Sequence, residues 1–175
     1  MSSIPGISKP SDILTMSKEQ LSSMTIDTIA FLLAMTQTQS LDDQIKSDLV
    51  DMQTQQKLIA DANKYLAQMK ELKKSAGDGV STMPADMKAF LSENGVSWDM
   101  TGPEAGQTDD LHNKDEWDIN IAYLDAFVKD KNSSVELQML GIQSKMSKRT
   151  QALESASTLM KKSADNMESL IRNLA

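Results

Sequence analysis

The chain has 175 residues, with 25 Asp and Glu against 18 Lys and Arg, one histidine, no cysteine and thirteen methionines. That length suits one compact or one elongated domain, and a net charge of −7 argues against nucleic acid or an anionic membrane as partner, since either asks for a basic patch. Without cysteine there is no disulfide, thiolate metal site or thiol nucleophile, and a single histidine leaves little for acid–base or metal catalysis. The expectation is a non-enzymatic chain that associates with other proteins and needs no cofactor.

Residues 1–16 are Ser-rich, carry Pro5, Gly6 and Pro10, and read as a flexible leader. No apolar run approaches the eighteen or so residues of a spanning helix, and the longest, Ile29 to Met35, lacks the basic n-region of a cleaved secretory signal.

The N-terminal arm covers 17–76. Ser17-Lys-Glu-Gln20 is a capping box, so a helix is expected from about 18. Ile29, Leu32, Leu33 and Met35, with Ile26 and Phe31, spread apolar surface around that helix, which is expected to be buried. After the polar TQTQS at 36–40, Ile45, Met52, Ile59 and Leu66 recur every seven residues, supported by Leu41, Leu49, Ala62 and Met69, as on a helix with one seam. Gly77-Asp-Gly79 reads as its stop.

The middle, 77–132, holds five of the seven glycines, two of the four prolines and five of the seven aromatics, so a small core of its own is expected there. Pro84 and Asn94-Gly95 bracket a short helix. Residues 96–116 read as a loop, and Ile119 to Val128 as another short helix. Trp98 and Trp117 read as anchors of that core. The acidic run Asp109, Asp110, Asp115, Glu116 and Asp118 with His112 lacks calcium-loop and zinc spacing, and is read as a solvated loop with no metal.

The C-terminal arm, 133–175, is expected to start at the capping box Ser133-Ser-Val-Glu136. Met139, Met146, Leu153, Met160, Met167 and Leu174 mark six successive heptad positions, the pattern of a coiled coil. Val135, Ile142, Ala156 and Leu170 fill a companion row that Arg149 and Ser163 interrupt. Methionine adapts to irregular or changing neighbours, so the first row suits an interface. At 1.5 Å per residue, Leu41–Ala76 spans about 54 Å and Ser134–Ala175 about 63 Å, so the arms can lie side by side. Asp42, Asp43, Asp48 and Asp51 would complement Lys161, Lys162 and Arg172 if the arms ran antiparallel. The fold class expected is all-α: an antiparallel coiled-coil helical hairpin with a small irregular or helical middle subdomain.

This order of features resembles the hydrophilic translocators of bacterial type III secretion systems, the EspA and SseB filament proteins. Met16-Ser-Lys-Glu19 precedes the apolar block and Gln37-Thr-Gln39-Ser40 follows it. Pro84 to Gly95 is similar to a segment of the SseB group, and Val135–Met160 shares its Gln- and Met-rich heptads. The resemblance implies a secreted structural component that polymerises into an extracellular extension linking the needle to the translocation pore. Its partners would be itself, a secretion chaperone, and the needle and pore-forming translocator proteins. It would be cytoplasmic with its chaperone before export and at the bacterial cell surface afterwards. The two seams named above would then serve self-assembly or chaperone binding. A needle-tip protein of the same systems, or a non-enzymatic secreted effector, is the alternative.

Overall fold

A computed structural model describes residues 8–99 and 110–174, without the side chain of Leu174. The long helices α2 (Ile26–Ala76) and α4 (Lys114–Leu174) pack against each other as an antiparallel hairpin. Residues contributed by both helices form two compact units, Met1–Val50 with Met139–Ala175, and Asp51–Gln138.

In the first unit, Pro10–Thr15 is a 3-10 helix whose Ile13 is buried. This corrects the flexible-leader reading for 10–15, while residues 1–7 lie outside the described residues. Asp12 holds the turn, accepting from Ser8 N–H at 2.8 Å and Lys9 N–H at 3.0 Å. The Ser17–Gln20 capping box is present, but the helix it opens, α1 (Lys18–Ser22), is only five residues long. The hydroxyls of Ser22 and Ser23 donate to the carbonyls of Glu19 and Gln20 where that helix ends. Thr25 starts the chain again, its hydroxyl accepting from Thr28 N–H.

TQTQS does not interrupt α2. Thr36 and Thr38 donate back to the carbonyls of Leu32 and Ala34 (2.8 and 2.9 Å), and Thr38 is buried. The apolar block before it is buried on one side only: Leu32 is inside, Ile29 and Met35 are half-buried, and Ile26 and Leu33 face outward. The all-round burial expected there is not what forms.

In the second unit, Ala62, Leu66 and Met69 of α2 pack with Met83, Met87, Leu91, Val96, Trp117, Leu124 and Val128. The core expected for 77–132 alone is therefore shared with α2, because the short α3 (Ala85–Glu93) has one apolar face and nothing else to cover it. Gly77, at φ +56°, ends α2 as expected. Asn94-Gly95 closes α3 with Gly95 at φ +64°, Val96 N–H bonding to Leu91 O and Gly95 N–H to Ser92 O, a Schellman closure. Pro84 caps α3 from just outside it.

β2 (Leu111–His112), within the expected loop, pairs with β1 (Ser81–Thr82) in a two-residue antiparallel ladder, Ser81 opposite His112. Residues 100–109, with Asp109, lie outside the described residues. No helix starts at Ser133. α4 is continuous from Lys114, and Asn113 is its cap: its Oδ1 accepts from Asp115 and Glu116 N–H (2.8 and 3.1 Å), while Glu116 accepts from Asn113 N–H at 2.7 Å.

Candidate interaction surface

Helix α2 turns one heptad seam inward. In the first unit Leu41 is buried and Ile45 and Asp48 are half-buried; in the second Met52, Gln55 and Ile59 are half-buried and Ala62, Leu66 and Met69 are buried. The expected positions Ile45, Met52, Ile59 and Leu66 therefore face the hairpin's own interior.

The opposite holds for α4. Its inward residues in the first unit are Ile142, Lys145, Arg149, Ala152, Ala156 and Leu159, spaced alternately by three and four. The methionine row lies one residue further on, about 100° around the helix. Met139, Met146, Met160 and Met167 are 45, 54, 60 and 61 % exposed. Leu153 is half-buried, and the side chain of Leu174 lies outside the description. The row read as a coiled-coil seam is thus not the one that packs inside the chain.

Charge explains the choice. Lys145 Nζ meets Asp48 Oδ2 at 2.5 Å with both side chains 29 % exposed, and Arg149 Nε donates to Asp42. Arg149, read as an interruption of an apolar row, is the partner of an acid on α2. Turning the methionine row inward would leave Asp42 and Asp48 beside thioethers, without these counter-charges. Ala152 and Ala156 are small enough for close approach. The pairing expected with Lys161, Lys162 and Arg172 does not form: Lys161 and Lys162 are exposed, and Arg172 bonds Glu168 on its own helix.

The apolar surface continues past the packed part of α4. Every described side chain from Met160 to Asn173 is exposed, Leu170 and Ile171 included. Beside Met160 a groove of about 270 Å³ is lined by Asp27, Thr28, Phe31 and Leu32 of α2 and by Leu159 and Ser163 of α4. An apolar partner helix could lay thioethers and branched side chains along this face.

The remaining polar clusters serve the fold. Trp117 is fully buried, its Nε1 donating to Ser81 Oγ at 2.9 Å, which in turn donates to Leu72 O at 3.0 Å. The solvated-loop reading fails for His112, which is buried on β2 with its ring edge-on to Trp117 at 5.0 Å. The acids beside it have structural partners: Asp110 meets Lys88 at 2.6 Å and Asp118 meets Lys73 at 2.5 Å. Among the described residues no group of three or more His, Asp or Glu is placed to hold a metal ion. Trp98 packs against the second unit's core. Burial, with Asp86 beside it, raises the Tyr65 phenol above its ordinary value.

The periods in the sequence did not separate the inward row of α4 from the outward one, since both repeat every seven residues. The signal that could have done so was the match of Asp42 and Asp48 on α2 to Arg149 and Lys145 on α4. No family model, curated protein or solved structure matches the chain.

Proposed function

We propose that this chain is a non-enzymatic structural component exported by a bacterial type III secretion system, where it assembles with copies of itself into an extension between needle and translocation pore. The observation that carries the reading is the exposed methionine row of α4, left over after α4 has used a different row to close the hairpin. A hairpin that closes on its own inward row and still presents a long apolar stripe has a surface suited to a second helix. Before export a chaperone would cover the same stripe.

Sedimentation across a concentration series, with negative-stain imaging, tests the assembly. Concentration-dependent fibres are the expected result, and a single chain at every concentration would overturn it. One observation favours a needle-tip role instead. The seam of α2 meets α4 of the same chain, in the first unit through Asp42 and Asp48, so the hairpin needs no second copy to close. A chain that stays single yet sits at the needle end in secreting cells would select that reading.

A further inference from the structure

Among the described residues the methionines fall into distinct environments. Met69, Met83 and Met87 are 0–1 % exposed in the second unit, whereas Met139, Met146, Met160 and Met167 present their thioethers on one face of α4. Oxidation of methionine follows access to the sulfur. We infer that these four methionines are a peroxide-reactive modification site whose oxidation turns off association through the α4 face; the regulatory part rests on the assembly reading above.

The sulfur lone pair attacks one oxygen of a hydroperoxide, the O–O bond breaks, and an S–O bond forms. Sulfur gives up two electrons, and the departing oxygen leaves as water or an alcohol after taking the proton from the transferred oxygen. The product sulfoxide is a polar acceptor with a fixed stereocentre in place of a flexible apolar thioether. On the free hairpin that change is tolerated, because these side chains are largely solvated. Against an apolar partner it places four dipoles where hydrocarbon contact is needed. An assembled chain would shield the row, so the modification acts on the free one.

The full-length protein, diluted until it sediments as a single chain, is treated with hydrogen peroxide and mapped peptide by peptide for added oxygen. Met69, Met83 and Met87 should react about tenfold or more slowly than the four row positions. The helical signal should persist while fibres fail to form on reconcentration. Methionine sulfoxide reductases should restore assembly, and the variant M139L/M146L/M160L/M167L should assemble with or without peroxide. Equal reaction of buried and row methionines would overturn the site. Unchanged assembly of the sulfoxide form would overturn the switch alone. An untreated protein that never assembles would overturn the assembly reading and the switch together, leaving the selectivity of oxidation to stand by itself.

Discussion

Asn113 illustrates how one side chain sets a boundary. Its carboxamide caps two amides of the 61-residue α4, and Glu116 closes the box from the other side. Asn113→Ala should lower unfolding stability by about 1 kcal/mol, seen as a lower denaturant midpoint at unchanged slope. Ser133→Ala, at the other capping signature, should be neutral or slightly stabilising, since Ser133 is an exposed residue inside the helix. Of the two, the expected helix start is Ser133; Asn113 lies in the stretch expected to be loop. What the residues alone did not reveal is that a Ser-x-x-Glu pattern within a run already committed to helix has no free amides to cap. Asp12 supplies a pH test. Amides of Lys9 and Ser8 hold its carboxyl below the ordinary carboxylate value. A folded pKa below the unfolded one gives stabilisation that is complete above the unfolded value and lost as pH falls through the folded one. Amide exchange in residues 10–16 should therefore lose protection on acidification, with the rest of α2 still protected. Unchanged protection at pH values below that range would show that Asp12 does not hold this turn.

At the scale of the element, two rows of α4 one residue apart lead opposite lives, and charge substitution separates them. Ala156→Asp places a carboxylate at a position 3 % exposed and should cost several kcal/mol, lowering the thermal midpoint sharply. Met160→Asp, on a residue 60 % exposed, should leave the melt within about 0.5 kcal/mol of the parent yet abolish association. Glu154→Ala should do neither. Calorimetry and sedimentation on the three variants decide it. If Met160→Asp melts early, the row is internal after all. The helices themselves were readable because α2 carries no Gly or Pro and repeats its apolar residues every seven. The break at 23–25 was less so. Serine hydroxyls bond backward there, which apolar spacing does not report.

For the whole molecule, the even exposure of α4 after Met160 makes a simple deletion informative. Removing 161–175 should leave the unfolding free energy within about 0.5 kcal/mol, because no described side chain there is buried, while association weakens. A large loss of stability would mean these turns have a partner inside the chain. The all-α hairpin was legible in the sequence; the side-by-side match of Leu41–Ala76 with 134–175 was not, since α4 starts at Lys114 and Ala62, Leu66 and Met69 pack with Trp117, Leu124 and Val128. The middle was not legible as an independent body. Four of its five aromatics gather as expected, Tyr123 staying exposed, yet a nine-residue helix and a two-residue ladder cannot enclose a core without the methionine, leucine and alanine of α2.

Heptad repeats look alike, so two such helices could in principle slide past each other by seven residues and still match leucine to isoleucine. The acids of α2 disfavour it. One step either way would move Asp42 from Arg149 to Ile142 or Ala156, and Asp48 from Lys145 to Gln138 or Ala152, leaving two partly solvated ion pairs unmade. The pairs act as index marks on an otherwise periodic rule. A chain that begins unfolded, with no template beside it, has one alignment to find and a penalty at each neighbouring one.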